Sequence, residues 1–262
     1  MDLGLSGRVA VVTGGSSGIG LAACRLLLEE GADVALCGRD AARLAAAAAE
    51  LTARHGAARV LAQRCDVLAK AEVETFAQAV RDWRGRCDLL VNNAGQGRVS
   101  TFADTTDDDW RDELELKFFS QVHPIRAIKP LLDASDAPAI VGVNSLLAYQ
   151  PEPHMVCTSA ARAGVQSLLK SLARELAPRI RVNAILLGLV DSGQWQRRYE
   201  ASGKTESRAD WVASLAREKG IPLGRLGDPE EAARAILFLG SPAASYVTGA
   251  QLEVSGGVSR FI

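Results

Sequence analysis

"RVAVVTGGSSGIGLAACRLLLEEG", residues 8–31, decides the fold. It begins with a β-branched apolar run that ends in glycine, which is typical of a buried strand. A helical pattern follows, in which leucines recur on one face and Gly31 acts as the stop. The stretch therefore predicts a strand, a tight glycine turn and a helix in immediate succession.

The alternation of strand and helix continues along the chain. Further strands are predicted at "DVALCG" (33–38), "ARVLAQRCDV" (58–67), "CDLLVNNAG" (87–95), 139–144, 181–186 and 251–254. Helices are predicted at 41–54, 71–84 and about 157–176. Such βαβ succession favours a parallel sheet covered on both faces. No Pro-, Gly- or Ser-rich linker separates two halves, so one domain is expected over residues 1–262.

Composition narrows the class of partner and the compartment. The net charge of −1, from 30 basic and 31 acidic residues, gives no sign of attraction to nucleic acid or a membrane surface. A small-molecule substrate is the better expectation. The 5 cysteines are dispersed and odd in number, which indicates reduced, mostly buried thiols rather than a metal site or disulfides. With neither a signal-peptide pattern nor a membrane-spanning run, a cytoplasmic location is predicted.

The turn "TGGSSGIG", residues 13–20, is the first motif that carries chemistry. Its glycines allow the backbone to turn sharply and to approach a pyrophosphate, whose charge meets exposed amides at a helix N-terminus. The residues expected to hold a dinucleotide here are Gly14, Ser16, Ser17, Gly18, Ile19 and Gly20.

Arg39, in "CGRD" after the second strand, bears on which dinucleotide is bound. An acidic residue at this point would bind the ribose 2′-hydroxyl, whereas arginine can pair with a 2′-phosphate. NADP(H) is therefore predicted in preference to NAD(H). Two observations leave the alternative open: a surface arginine is often merely solvated, and Asp40 is its neighbour.

At "NNAG", residues 92–95, nearly the whole chain resembles the short-chain dehydrogenase/reductase family of classical type. The glycine turn, "SLARELAPRIRVNAI" and "YVTGAQLEVSGG" are similar to that family's motifs in the same order. The resemblance implies an α/β fold with one Rossmann-like, doubly wound domain and a parallel seven-stranded sheet with helices on both faces. It adds cofactor contacts at Asp66, Val67, Asn93, Ala94, Gly95, Arg162 and Gly188.

The resemblance breaks down at the catalytic residues. Ser145 stands at the position of the family's serine, but Thr158 replaces the tyrosine, Arg162 the lysine and Lys117 the asparagine. Ionising an aliphatic alcohol costs about 8 kcal/mol more than ionising a phenol, so Thr158 is no simple substitute. We hypothesise that charge and proton exchange have moved to Lys117, with Ser145 and Thr158 binding the substrate oxygen. The alternative is that Lys117 points outward from its helix.

The substrate side of the site is predicted from the segment before the long helix and from an insert after the sixth strand. Candidate substrate contacts are Tyr149, His154 and Trp195. The insert, a lid at about 188–220, is polar and mobile-looking, and Arg197 with Arg198 would suit an acidic substrate. The apolar face of the long helix, at 165–172, suggests a homotetramer or homodimer, although core packing explains the same pattern.

Two classes of function follow from this pattern. The first is an NADP-dependent oxidoreductase that moves hydride between nicotinamide and a small carbonyl or alcohol substrate. The second is an NADP(H)-binding protein of the same fold without redox turnover. The retained Ser145, with basic residues at two of the altered positions, favours the enzyme.

Overall fold

A computed structural model describes residues 2–203 and 205–261, and seven parallel strands there form one sheet in the order β3-β2-β1-β4-β5-β6-β7. The strands are β1 (Val9–Thr13), β2 (Asp33–Gly38), β3 (Val60–Arg64), β4 (Leu89–Asn92), β5 (Ala139–Ser145), β6 (Arg181–Leu187) and β7 (Gln251–Val254). The helices are α1 (Gly18–Glu29), α2 (Ala41–His55), α3 (Lys70–Arg84), α4 (Asp107–Leu132), α5 (Val156–Glu175), α6 (Gly193–Ala201), α7 (Arg208–Glu218) and α8 (Pro229–Gly240).

The sheet is buried on both faces. In β1, Ala10 and Val12 pack into the core formed with α1, α2 and α8, whereas Val11 packs into the core formed with α3, α4 and α5. All five residues of β1 are buried, as an apolar run in a parallel sheet requires. The predicted α/β, doubly wound, seven-stranded fold is confirmed.

The apolar face of α5 lies largely inside the chain. Val165 is 1% and Leu169 2% exposed, both in the core beneath β5. A Cβ added to Gly142 would lie 2.5 Å from Leu169 Cδ1, so strand and helix pack at close range. Core packing therefore accounts for these two residues, and the homo-oligomer stays a prediction.

The lid differs from its expected character, because much of the polar insert is helical. Its helices α6 and α7 meet through aromatic rings: the Trp195 and Trp211 centroids lie 6.2 Å apart, and those of Tyr199 and Trp211 5.6 Å apart. These rings bury apolar surface that orders a segment of otherwise polar composition.

All five cysteines are free and buried, as the sequence predicts. Among the described residues, no helix combines the length and the apolar character needed to cross a membrane.

Candidate active site

The site lies where the order of the strands reverses. Since β1 has β2 on one side and β4 on the other, the chain leaves these strands in opposite directions and opens a crevice at their carboxyl ends. Thr13, at the end of β1, holds the segment after β4 in place. Its Oγ1 accepts hydrogen bonds from the backbone N–H of Asn93 at 3.0 Å and of Ala94 at 3.1 Å. The side-chain Nδ2 of Asn93 in turn donates to the backbone carbonyl oxygens of Thr13 and Gly14, both at 3.1 Å.

A cavity of about 1150 Å³ occupies this crevice and collects most of the predicted site residues. Those that line it are Gly14, Ser16, Ser17, Gly18, Ile19, Arg39, Asp66, Val67, Asn93, Ala94, Gly95, Ser145, His154, Thr158, Arg162, Gly188 and Trp195. The predicted residues outside its wall are Gly20, Lys117 and Tyr149.

The glycine turn fits a pyrophosphate. Gly14 has φ +65°, and a Cβ there would lie 3.0 Å from Ala94 Cα. A Cβ on Gly20 would lie 2.3 Å from the Gly14 carbonyl oxygen, so Gly20 acts by letting α1 approach the turn closely. Ser17, the N-cap of α1, makes no side-chain capping hydrogen bond, which leaves first-turn amides to face an anion.

The far end of the cavity is basic. Arg39 and Arg43 both line it, and Arg39 is exposed. The Asp40 carboxylate is turned to α2, where it accepts hydrogen bonds from the Arg43 backbone N–H at 2.9 Å and from its Nη2 at 2.8 Å. These bonds hold the pKa of Asp40 below its usual value. The acidic neighbour thus serves as a helix cap, and its ion pair is with Arg43 and not with Arg39.

Ser145 and Arg162 bring polar groups to the inner wall. Ser145 ends β5, and its Oγ accepts a hydrogen bond from the Leu147 N–H at 3.2 Å. Arg162 Nη1 donates to the Val143 carbonyl oxygen at 2.9 Å, but its buried Nε has no hydrogen-bond partner within the described residues. Burial lowers the pKa of Arg162 to about 10. A buried donor without a partner, beside a cavity, suits the oxygen atoms of a ligand.

Lys117 points inward, not outward. Its side chain is 2% exposed, its Nζ donates to the Gln96 carbonyl oxygen at 2.6 Å, and it pairs with Glu113 Oε1 at 2.8 Å. Burial above all, together with the positive charge of Arg162, lowers the pKa of Lys117 to about 8, against the raising effect of Glu113. The lysine therefore carries a labile proton near neutral pH, although Gln96 and not Lys117 itself lines the cavity.

Glu113 is the residue that the sequence reasoning missed. Its side chain is 4% exposed, and it accepts a hydrogen bond from the Thr158 hydroxyl on the same Oε1 that pairs with Lys117. Thr158 Oγ1 also accepts the Arg98 N–H at 3.2 Å. The signal in the sequence was the spacing of four between Glu113 and Lys117, which puts both on one face of a helix.

The substrate residues predicted from the sequence separate in the structure. His154 and Trp195 line the cavity, and so do Arg197 and Arg198. Tyr149 does not: it is 47% exposed and stacks on Phe261 with ring centroids 5.2 Å apart. The expectation that Tyr149 presents its phenol to the substrate therefore has no support in its position.

Ser192, at the start of α6, is a second residue that the sequence reasoning did not single out. It lines the cavity, and its Cβ would lie 3.8 Å from a Cβ on Gly18. The lid thus begins directly over the glycine turn. The signal in the sequence is a serine at the N-cap position of a helix. In the structure the Ser192 hydroxyl makes no capping hydrogen bond.

The chain is similar to known oxidoreductases in sequence and in structure. A family model described as enoyl-(acyl carrier protein) reductase matches residues 14–259. The chain is also similar to 3-oxoacyl-(acyl-carrier-protein) reductase from Chlamydia pneumoniae, with 34% identity over 260 residues that cover 99% of this chain and 100% of the relative.

Two solved structures are close in both sequence and shape. A short chain oxidoreductase from Pseudomonas aeruginosa PAO1, bound to NADPH and containing an atypical catalytic center, is 60% identical with a TM-score of 0.93, covering 97% of this chain and 98% of that one. L-sorbose reductase from Gluconobacter frateurii, complexed with NADPH and L-sorbose, is 34% identical with a TM-score of 0.94 and full coverage of both chains.

Proposed function

The chain belongs to the short-chain dehydrogenase/reductase family of NAD(P)-dependent oxidoreductases, and from that premise we propose a reductase or dehydrogenase for a small carbonyl or alcohol substrate that works with non-standard acid-base residues. The observation that carries the proposal is that Ser145, Thr158 and Arg162 line the same cavity, while the buried ammonium of Lys117 is linked to Thr158 through Glu113. The cytoplasmic location and the homo-oligomer expected from the sequence stay predictions.

The cofactor is NADP(H). Two of the similar structures carry NADPH, and the residues of this chain fit it. The glycine turn lines the cavity at the N-terminus of α1, where no side chain caps the helix, and this suits the pyrophosphate. Arg39 supplies positive charge for a 2′-phosphate, while Asp40 caps α2 and pairs with Arg43. When bound, this cofactor supplies or accepts the hydride.

The remaining chemistry falls to the side chains. Ser145 Oγ and the Thr158 hydroxyl orient the substrate oxygen by hydrogen bonds. Arg162 holds the ribose hydroxyls, and its Nε is a donor that the described residues leave without a partner. Its pKa of about 10 is too far above neutral pH for a proton shuttle. Lys117 holds the exchangeable proton, since its pKa of about 8 lies close to working pH. The P. aeruginosa relative, with its atypical catalytic center, supports the departure from the usual tyrosine and lysine.

The test measures NADPH binding first and turnover second, against a panel of ketoses and β-keto thioesters in the class of the relatives' substrates. We expect NADPH to bind and at least one carbonyl compound to be reduced. Lys117→Ala should abolish turnover and leave NADPH affinity within about threefold, whereas Lys129→Ala, on the exposed side of the same helix, should change neither. NADPH binding without oxidation of any compound would favour the non-redox class of function, and unchanged turnover in Lys117→Ala would remove the lysine from the mechanism.

A further inference from the structure

Glu113 stands between the two altered residues Lys117 and Thr158, and its place there bears on how a proton reaches the substrate. We propose that Glu113 is a positioning residue that couples Lys117 to Thr158, so that the proton reaches the substrate oxygen through the Thr158 hydroxyl and not directly from the lysine. The proposal rests on the proposed oxidoreductase function and specifies the route of its proton.

One oxygen atom joins the two residues. Glu113 Oε1 lies 2.8 Å from Lys117 Nζ and accepts the hydrogen bond of Thr158 Oγ1. All three side chains are almost completely buried, with exposed fractions of 4% for Glu113, 2% for Lys117 and 1% for Thr158. Bulk water is therefore kept from the contacts, and the hydrogen bonds are strong because the local dielectric is low.

The direct route from the lysine is closed in this arrangement. Lys117 does not line the cavity, and its ammonium is held by the Gln96 carbonyl oxygen at 2.6 Å and by Glu113. Thr158 does line the cavity, as Ser145 and Arg162 do. Of the linked residues Lys117, Glu113 and Thr158, the threonine is thus the one in position to touch a substrate oxygen.

The transfer balances in protons and in charge. The Lys117 N–H bond breaks as an O–H bond forms at Glu113 Oε1. In the resting arrangement the Thr158 hydroxyl donates to this oxygen, so it must first turn its own proton toward the substrate oxygen. The Glu113 O–H bond then breaks as Thr158 Oγ1 takes that proton, while the original Thr158 proton moves to the substrate oxygen. Lys117 ends neutral and the substrate oxygen ends protonated, and alcohol oxidation runs the same steps in reverse. Thr158 relays a proton without ever becoming an alkoxide, which removes the cost of about 8 kcal/mol set by its ordinary acidity.

The charges around Lys117 make the coupling measurable. Glu113 faces it from α4, Arg162 and Cys157 face it from α5, and Gln96 presents its carbonyl oxygen from the segment after β4. Glu113 raises the pKa of Lys117, whereas burial and Arg162 lower it to about 8. Removing the carboxylate charge should therefore lower the pKa of Lys117 further. The uncharged isostere also breaks the proton path, because an amide oxygen does not pass a proton on.

The experiment compares the full chain with Glu113→Gln, Glu113→Asp, Thr158→Val and Thr158→Ser. NMR titration of the Lys117 side chain in the cofactor-free protein gives a readout that needs no substrate. The pH dependence of NADPH oxidation, with whichever panel carbonyl the wild type reduces, gives the second. Thermal melting of each variant shows that it is folded.

We expect Glu113→Gln to lower the Lys117 titration point, to reduce kcat about 100-fold with KM within about threefold, and to leave NADPH affinity unchanged; Glu113→Asp should restore part of kcat. Thr158→Ser should retain activity and Thr158→Val should lose it, which keeps the test decisive even where Glu113→Gln fails to fold. Wild-type kcat and pH profile in folded Glu113→Gln, or in Thr158→Val, would overturn the proposal. A wild type that reduces no carbonyl would instead refute the proposed function. The NMR titration would then test the coupling alone, and a Lys117 titration that is unchanged in Glu113→Gln would overturn the coupling.

Discussion

The buried ammonium of Lys117 should make the stability of the fold rise with pH. Its pKa lies at about 8 in the folded chain and at 10.5 when unperturbed. Between these two values the unfolded chain holds a proton that the folded chain has already released, so the free energy of unfolding increases with pH. Lys117→Met removes this titration while keeping a side chain of similar length.

The size of the effect follows from the two pKa values. Each unit of difference corresponds to about 1.4 kcal/mol, and stability rises between the folded pKa of about 8 and the unfolded pKa of 10.5, so about 1.5 units of this interval lie below pH 9.5. Wild type should therefore gain about 2 kcal/mol of unfolding free energy from about pH 7 to about pH 9.5, relative to Lys117→Met. Loss of the ammonium also leaves Glu113 buried without its ion-pair partner, which lowers the stability of the variant.

Urea denaturation at fixed protein concentration, without NADPH, measures the difference at each pH. Lys129→Met is the matched control, because Lys129 lies on the same helix as Lys117. Its side chain pairs with Asp133 and is 44% exposed, whereas the Lys117 side chain is buried. Its difference from wild type should stay flat with pH. A flat difference for Lys117→Met as well would refute the reasoning, since it would mean that Lys117 titrates alike in the folded and unfolded chain.

Substitutions at three residues test the cofactor contacts of the site. Gly20→Ala, whose Cβ would lie 2.3 Å from the Gly14 carbonyl oxygen, should lose NADPH binding by at least about tenfold in a fluorescence titration, and binding at wild-type strength would contradict the close approach of α1. Arg39→Ala should weaken NADPH binding about tenfold or more and leave NADH binding unchanged; equal losses for both would deny it a 2′-phosphate contact. Arg162→Lys should keep the NADPH affinity within about threefold, whereas Arg162→Met should lose about tenfold. Calorimetry measures both affinities, and equal affinities of the two variants would show that Arg162 does not bind the ribose.

The sheet was predictable because its strands carry their own signals. "DVALCG" gives both limits of β2, and the glycine turn fixes the step from β1 to α1. The lid was harder. Its polar composition suggested mobility, yet Trp195, Tyr199 and Trp211 form a small aromatic cluster between α6 and α7, and this contact depends on how the two helices pack.

Helix α4 shows why Glu113 escaped notice. In "DWRDELELKFF", residues 109–119, charged and apolar residues alternate closely, and an ordinary surface helix would expose the charges and bury the apolar side chains. The structure does the reverse at this turn: Leu114 is 39% and Phe119 40% exposed, while Glu113 and Lys117 are buried. The packing of α4 against α5 brings Thr158 to Glu113, and the segment after β4 brings the Gln96 carbonyl oxygen to Lys117, so these partners depend on the tertiary structure.

The capping of α2 by Asp40 has a consequence for anyone who would redesign this protein to accept NAD(H). The Asp40 carboxylate both caps α2 and restrains Arg43. A design that only exchanges the charges at positions 39 and 40 would therefore remove the cap of α2 while it changes the preference for a dinucleotide. A workable design would first give α2 a substitute cap, and only then place an acidic side chain at position 39.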